Sequence, residues 1–282
     1  VSGMNVRTVN YTDSNAPYEF TRSLRQTGFS VLTHHPVPIE LVDQVYAEWA
    51  DFFSSESKIN YLFDPDKQDG FFPIGSESAK GYSTKDLKEF YHIYPWGRYP
   101  NEISGATSEL YGHVVELTSV LLGWIQDETP DHVKSLFSIP LPEMIKKSKT
   151  NLLRILHYPP LDGEEAPGAI RGAAHEDINL ITLLVAGTQP GLQVQDLNNK
   201  WHDVPCDHGS LAINSGDMLQ EASNGYFPST THQVINPGAG IQNESRYSMP
   251  LFLHPRDEVV LSDRYTAREY LDERLVEIGL RS

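Results

Sequence analysis

Two histidines and one carboxylate in this sequence have the types and the spacing to bind a metal ion. His175 and Asp177 stand two positions apart, and His232 follows later in the chain. In an extended segment the side chains at i and i+2 point to the same side, so His175 and Asp177 could hold one ion together. Two imidazoles and one carboxylate leave coordination positions open, as in the non-haem Fe(II) sites that activate dioxygen.

The same three residues also have explanations without iron chemistry. His175 and Asp177 could be surface loop residues, and His232 could be a hydrogen-bonded histidine of the core. A closed structural zinc site would use four ligands, one more than this set supplies. Ligand type alone does not fix the metal, so a noncatalytic protein that binds zinc or a small acid is a further alternative.

Short strands surround these residues in the sequence. The stretch 179–185 is rich in β-branched and apolar residues and ends at Ala186-Gly187, so it predicts a buried strand that starts near His175. Further strands are predicted at 191–196, 201–204, 210–214, 218–222, 230–236 and 246–254. Turn signals separate them at regular intervals, which is typical of a sandwich or a barrel.

A pair of residues suited to a carboxylate lies on the last predicted strand. Arg246 and Ser248 face the same side, because Tyr247 lies between them in an alternating strand. An arginine offers paired donors that match both carboxylate oxygens, and a serine hydroxyl adds a third donor. Alternatively, Arg246 could form a surface ion pair, which contributes little stability.

Several segments of the chain, in order, resemble one enzyme family. The chain is similar to the isopenicillin N synthase-like family of iron- and 2-oxoglutarate-dependent oxygenases. The landmarks in the second half are 151–160, His175-Glu-Asp177, 190–194, 216–219 with 223–225, His232 and Arg246-Tyr-Ser248. The first third resembles the leading domain of the family at 28–32, 39–54 and 88–91. The resemblance covers nearly the whole chain.

The resemblance implies that His175, Asp177 and His232 are the ligands of an Fe(II) ion. It also implies that 2-oxoglutarate and dioxygen are consumed together. In such families the 2-oxo acid is decarboxylated to succinate while a hydrogen atom is removed from a nearby carbon of the substrate. The metal and the cosubstrate carry this chemistry, and the protein positions the target carbon and excludes water.

The resemblance further implies a site for 2-oxoglutarate. Arg246 and Ser248 would hold its distal carboxylate, with the hydroxyl of Tyr158 beside them. Alternatively, Tyr158 could be an aromatic residue packed at the end of its strand.

Two departures from the family pattern bear on this site. Leu156 stands where many relatives carry an asparagine, and the link between His232 and Arg246 is lengthened around 237–240, which we interpret as a longer hairpin loop. Some relatives with the same arginine and serine use no 2-oxoglutarate. The runner-up function is therefore an iron oxidase that holds the carboxylate of its own substrate at Arg246 and Ser248.

The predicted fold is α+β with a mainly β core, a double-stranded β-helix (jelly-roll, cupin-like) with flanking helices. We expect one oxygenase domain over 1–282, with a helical and strand region at about 1–100, the jelly-roll core at about 150–255 and a C-terminal helix at about 263–282. Apolar residues at three- and four-residue spacing predict helices at 39–54 and at about 108–126. Thr266-x-x-Glu269 is a capping-box pattern that opens the last helix.

The residues that would select the substrate are less defined. The stretch 64–82 lacks a sustained period and predicts a long loop over one end of the barrel. Its phenylalanines Phe71 and Phe72 could line an apolar pocket or pack in the core. Tyr91 and His92 point to opposite faces of a predicted strand at 89–94, so at most one of them faces the site.

Composition narrows the class of protein. The net charge of −16 argues against a nucleic-acid surface or an anionic membrane surface as partner. Cys206 is the only cysteine of the sequence, so an intramolecular disulfide is excluded, and no signal peptide or long apolar span is evident. We therefore expect a cytoplasmic enzyme that acts on a small molecule, and the sequence indicates neither its oligomeric state nor its substrate.

Overall fold

The computed structural model describes residues 4–77, 82–185, 187–238 and 242–279. These residues contain twelve strands and seven α-helices, joined by turns and loops. The strands are β1 Arg7–Asn10, β2 Phe29–Thr33, β3 Gly70–Phe72, β4 Glu89–Ile93, β5 Leu152–Tyr158, β6 Gly172–His175, β7 Ile181–Val185, β8 Leu192–Gln195, β9 Trp201–Asp203, β10 Leu211–Ser215, β11 His232–Val234 and β12 Arg246–Leu253. The helices are α1 Ala16–Thr27, α2 Ile39–Ser54, α3 Ala106–Glu128, α4 Asp131–Lys134, α5 Leu141–Met144, α6 Asp217–Ala222 and α7 Ala267–Glu277.

The strands form two sheets that pack on each other. The larger sheet has eight strands in the order β1-β2-β10-β7-β12-β5-β4-β3, and the smaller has the order β6-β11-β8-β9. Buried apolar side chains from both sheets meet between them: Phe29, Val31 and Ala212 from the larger, Leu192 and Val194 from the smaller. This arrangement confirms the predicted jelly-roll fold with flanking helices.

Helices cover the other face of the larger sheet. Helix α2 spans the predicted residues 39–54, and its apolar stripe includes the fully buried Trp49. The Trp49 ring lies 5.1 Å from that of Tyr91 on β4. Tyr91 thus packs on the helical side, while its neighbour His92 faces the smaller sheet, as the alternation of a strand requires. Phe71 also joins the helix-side core, and Phe72 lies on the opposite face.

Three sequence-based predictions differ from the structure. Residues 218–222, predicted as a strand, lie in helix α6, because Met218, Leu219 and Ala222 are buried at helical spacing. The predicted loop at 64–82 contains strand β3, which pairs with β4, while 78–81 lie outside the described residues. The predicted hairpin between His232 and Arg246 is wrong, since β11 and β12 belong to different sheets and the link crosses between them.

The capping box predicted at the start of the C-terminal helix is present. Thr266 accepts a hydrogen bond from the backbone N–H of Glu269, and the Glu269 side chain accepts one from Thr266 in return. Tyr270 of α7 donates its hydroxyl hydrogen to the Asp217 carboxylate at 3.1 Å. Residues 280–282 of the predicted helix region lie outside the described chain. None of the helices in the described residues is long and apolar enough to cross a membrane.

Candidate active site

The structure brings together the three residues that the sequence nominated as metal ligands. His175 ends β6 and pairs directly with His232 at the start of β11. Asp177 follows β6, and its Oδ1 lies 3.5 Å from Nε2 of His175 and 3.4 Å from Nε2 of His232. One ligand atom from each residue lies within 4.8 Å of the other two. Within the described ranges, this is the group of histidines and acids placed to hold an ion.

Backbone carbonyls fix the orientation of both imidazoles. Nδ1 of His175 donates to the carbonyl of Ala173 at 2.8 Å, and Nδ1 of His232 donates to that of Thr230 at 3.0 Å. A carbonyl can only accept, so in each neutral ring the hydrogen is on Nδ1 and the lone pair is on Nε2. Both Nε2 lone pairs are therefore available to a metal ion that lies between the two imidazoles and Oδ1 of Asp177.

The Asp177 carboxylate is supported from behind. Its Oδ2 accepts hydrogen bonds from Thr182 Oγ1 at 2.7 Å and from Asn214 Nδ2 at 2.8 Å, which leaves Oδ1 for the two histidines. Burial opposes the ionised form, but His232 and His175 outweigh it and hold the pKa of the Asp177 carboxyl well below its usual range. The reciprocal attraction by Asp177 outweighs burial at His232 and raises the pKa of that imidazole.

A glycine permits the close packing behind Asp177. A Cβ at Gly216 would lie 2.0 Å from the carbonyl oxygen of Asn179, so any side chain would displace this segment. The next residue, Asp217, donates its backbone N–H to the carbonyl of Asp177 at 2.7 Å. Gly216 and Asp217 therefore fix the backbone that carries Asp177.

The site is open on one side. The Asp177 and His232 side chains are 4% and 10% exposed, whereas that of His175 is 39% exposed. The interior face of His232 is closed by Phe29, whose ring lies 5.3 Å from the imidazole. Small molecules could therefore reach the metal position from the His175 side.

Arg246 is a buried cation with an unused donor. Its Nε donates to the carbonyl of Gln189 at 3.0 Å, and the residue is 3% exposed. Its Nη1 is buried, and no described residue accepts a hydrogen bond from it. A Cβ at Gly187 would lie 2.7 Å from Nη2, so the glycine makes room for the guanidinium. Because an unpaired buried charged donor is costly, this arrangement fits an acidic ligand.

The surroundings of Arg246 form a small pocket. Arg246 lines a cavity of about 170 Å³ whose remaining wall includes Leu184, Leu192, Val204 and Cys206. Ser248, 2% exposed, occupies the next position on the same face of β12. Leu156 lies opposite Ser248 on β5, so the departure from the family pattern places an apolar side chain beside this serine.

Tyr158 lies directly opposite Arg246 in the pairing of β5 with β12. The Arg246 guanidinium carbon is 5.2 Å from the centre of the Tyr158 ring, within the range of a cation–π contact. Tyr158 is buried among Phe72, Phe90 and Leu156. The ring therefore packs in the core, as one reading of the sequence expected, and it also forms part of the Arg246 site.

Sequence reasoning missed several residues that shape the site. Thr182 and Asn214, the supports of Asp177, could have been noticed as polar residues within otherwise apolar predicted strands. Arg171 is 1% exposed and donates to the carbonyls of Pro159 and Glu244, which ties the ends of β5 and β12 together. Burial, aided by the charge of Arg246, lowers the pKa of its guanidinium. No local sequence signal distinguishes Arg171 from a surface arginine.

Two family models match the chain. The 2OG-Fe(II) oxygenase superfamily matches residues 149–255, and the N-terminal region of non-haem dioxygenases in morphine synthesis matches residues 12–111. The first range contains both histidines, Asp177 and Arg246. The second range covers helices α1 and α2 and the start of α3.

Known proteins are similar over almost the full chain. A solved structure assigned as an oxygenase of Shewanella oneidensis is 52% identical and covers 98% of this chain and 99% of its own, with a TM-score of 0.89. The proline hydroxylase buaE of Petromyces alliaceus is 28% identical over 91% of this chain and 89% of its own length. A Neurospora crassa protein solved in complex with alpha-KG and thymine shares the fold at 21% identity, with a TM-score of 0.78 and 96% of each chain covered.

The two-histidine, one-carboxylate geometry, the buried Arg246 and these similarities agree. The chain therefore belongs to the 2OG-Fe(II) oxygenase superfamily, whose members are enzymes that use Fe(II), 2-oxoglutarate and dioxygen.

Proposed function

We propose that this oxygenase oxidises a small molecule, with His175, Asp177 and His232 as the iron ligands. The observation that carries this assignment is that Nε2 of both histidines lies within 3.5 Å of Oδ1 of Asp177, so that three ligand atoms surround one position. Two imidazoles and one carboxylate suit Fe(II) and leave positions for further ligands.

We assign the distal carboxylate of 2-oxoglutarate to Arg246 and Ser248, with Tyr158 beside them. The unpartnered Nη1 of Arg246 supports this assignment, since a carboxylate would supply the missing acceptor. The apolar part of the adjoining cavity wall, formed by Leu184, Leu192 and Val204, suits the methylene carbons of a 2-oxo acid. When bound, iron and 2-oxoglutarate supply the oxidising chemistry.

The chain itself orients and shields these groups. Ala173 and Thr230 hold the imidazole hydrogens on Nδ1, and Thr182 and Asn214 hold one carboxylate oxygen of Asp177. The partly exposed His175 leaves the metal position open on one side, from which the substrate approaches. Phe29 keeps water from the buried side of His232.

The proposed substrate is a small molecule. A relative named a proline hydroxylase and a solved relative with bound thymine support this size class. The outcome of the oxidation could be hydroxylation, desaturation or ring closure. The single-domain organisation, the cytoplasmic location and the absence of nucleic-acid or membrane partners stay predictions.

The test is an anaerobic titration of the Fe(II)-loaded protein with 2-oxoglutarate. Chelation should produce a weak visible metal-to-ligand charge-transfer band that saturates, and Arg246→Met should shift saturation to higher concentrations. Iron binding without such a band would reject the 2-oxoglutarate assignment. Oxygen uptake that needs no 2-oxo acid would then identify an iron oxidase on the same scaffold.

A further inference from the structure

A second arginine lies on the face of β5 that is directed at the smaller sheet. Arg154, Leu156 and Tyr158 alternate along β5, so their side chains share one face. Leu156 and Tyr158 pack there against Val234 of β11, which identifies this face as the interior of the jelly roll. The Arg154 side chain nevertheless keeps 16% of its surface exposed. Part of this arginine is therefore accessible to a small molecule although the residue lies on an interior face of the sheet.

Two aromatic rings hold the Arg154 guanidinium in place. Its central carbon lies 4.4 Å from the ring centre of Phe90 on β4 and 5.3 Å from that of Phe252 on β12. Phe72 stacks on Phe90 in turn, with ring centres 4.7 Å apart and planes inclined by 13°. The aromatic contacts restrict the guanidinium to one orientation, which reduces the entropy that a ligand contact would cost.

A neutral histidine, His92, accepts a hydrogen bond from the Nε side of the same guanidinium. His92 lies opposite Arg154 in the pairing of β4 with β5, and its Nε2 accepts a hydrogen bond from Arg154 Nε at 3.0 Å. Its Nδ1 donates to the carbonyl of Gln68 at 2.6 Å. Burial, together with the Arg154 charge, lowers the pKa of His92 to about 3, so the ring stays neutral. His92 positions the arginine without neutralising it.

The nearest carboxylate, that of Glu77, does not accept hydrogen bonds from all the donors of the Arg154 guanidinium. Glu77 Oε1 lies 3.4 Å from Arg154 Nη1 but 2.9 Å from Lys88 Nζ, so lysine is its closer partner. Lys88 also pairs with Asp86 at 3.0 Å. Within the described chain no residue accepts a hydrogen bond from Nη2 of Arg154. One side of its donor fork is therefore available.

A short series of contacts links Arg154 to the Asp177 carboxylate. Phe252 pairs across the sheet with Thr182, and the Thr182 hydroxyl donates to Asp177 at 2.7 Å. Arg154 thus connects to the metal-binding carboxylate through one aromatic ring and one threonine. Arg246 lies instead opposite Tyr158, four residues farther along β5, or roughly 13 Å at the usual rise per residue. The two arginines are separated along the same interior face.

We propose that Arg154 binds the substrate, donating from Nη1 and Nη2 to a planar oxygen acceptor, a carboxylate or a ring carbonyl. Phe90 and Phe252 hold the guanidinium, and Phe252, which is partly exposed, offers apolar surface to the rest of the molecule. His92 acts as a positioning residue. The inference rests on the proposed function, because it places this contact on the substrate side of the metal while Arg246 holds the cosubstrate.

The test measures binding of two probes, benzoate and uracil, to the Zn(II)-loaded protein with 2-oxoglutarate, by isothermal titration calorimetry. At least one probe should bind saturably to the unaltered protein. Arg154→Met should weaken that binding roughly 10- to 100-fold, the range for a lost charged hydrogen bond. Arg154→Lys should retain part of the benzoate affinity, because it keeps the charge but loses the fork. Binding of benzoate alone identifies a carboxylate, and binding of uracil alone a neutral carbonyl.

Two controls separate this inference from the proposed function. The exposed Arg264→Met variant should bind the probes normally, and both Arg154 variants should give the unaltered 2-oxoglutarate band with Fe(II). Failure of both probes to bind, or equal probe affinity in Arg154→Met, overturns the role of Arg154 and leaves the cosubstrate assignment intact. Absence of the band in the unaltered protein rejects the cosubstrate assignment instead. If circular dichroism shows that Arg154→Met folds poorly, the probe affinity of Arg154→Lys, which preserves the buried charge, is the test instead. An affinity equal to that of the unaltered protein then overturns the role of Arg154.

Discussion

Thr182 donates its hydroxyl hydrogen to Oδ2 of Asp177 at 2.7 Å, while Oδ1 of the same carboxylate faces both histidines. One oxygen is thus held by the protein, and the other remains for a metal. Hydrogen bonds of this kind orient a ligand and commonly change metal affinity by about 10- to 100-fold.

Thr182→Val should weaken Fe(II) binding by about 10- to 100-fold, since valine keeps the branched shape but lacks the donor. Anaerobic metal titration measures the effect. Thr118→Val is the matched control, because Thr118 is also buried but donates to the carbonyl of Val114 within α3. Equal Fe(II) affinity in Thr182→Val and the unaltered protein would remove the supporting role.

His175→Ala and Asp177→Ala should abolish tight stoichiometric iron binding, because each removes one of the three proposed ligands. Metal analysis after anaerobic loading and desalting measures the bound iron. His202→Ala is the control, since His202 pairs with the Asp196 carboxylate at 2.7 Å and lies two strands from His232 in the smaller sheet. Normal iron content in both ligand variants would contradict the assignment.

Arg246→Met should weaken 2-oxoglutarate binding by about 1.5–3 kcal/mol, the range for a hydrogen bond to a charged group. The charge-transfer titration reports it. Cys206→Ser is the control within the same cavity. Burial raises the pKa of the Cys206 thiol to about 12, so the thiol is neutral at about pH 7 and should contribute little to binding an anion. An Arg246→Met affinity equal to that of Cys206→Ser would move the carboxylate site elsewhere.

Thr266→Ala should lower the free energy of unfolding by about 1 kcal/mol, because it removes the side-chain half of the capping box of α7. Chemical denaturation measures this change. Iron and 2-oxoglutarate affinities should stay unchanged, since Thr266 contacts neither group of residues. An altered metal affinity would show that α7 acts on the site.

The stability of the protein should fall as pH decreases from about 6.5 to about 3, in part through His92. Its folded-state pKa of about 3 lies below the ordinary histidine value of 6.5, so the unfolded chain binds the proton first in this range. His92→Asn cannot titrate and retains an acceptor for Arg154, so its loss of stability should be shallower. The free energy of unfolding is measured against pH for both proteins. An equally steep fall in the two would contradict a neutral buried His92.

Much of the site could be predicted from the sequence because the signals are local. The i and i+2 spacing of His175 and Asp177 placed both on one side, and the alternation around Arg246 and Ser248 placed that pair on one face. The helix at 39–54 and the capping box of α7 follow from residues within a few positions of each other. Composition and periodicity report such neighbours directly.

Other features depend on contacts between residues far apart in the chain. The segment 218–222 forms a helix because Met218, Leu219 and Ala222 are buried at helical spacing while the backbone N–H of Met218 donates to the distant Asn179 carbonyl, and β3 forms because β4 offers a partner. The link after His232 crosses between sheets, which strand periodicity cannot distinguish from a hairpin. The types and spacing of the candidate ligands and the jelly-roll class were thus already evident in the amino-acid sequence. Only the folded chain shows that Asn214 supports Asp177, that His175 and His232 lie side by side, and that Arg154 lies between two rings, because each of these contacts joins elements distant in sequence.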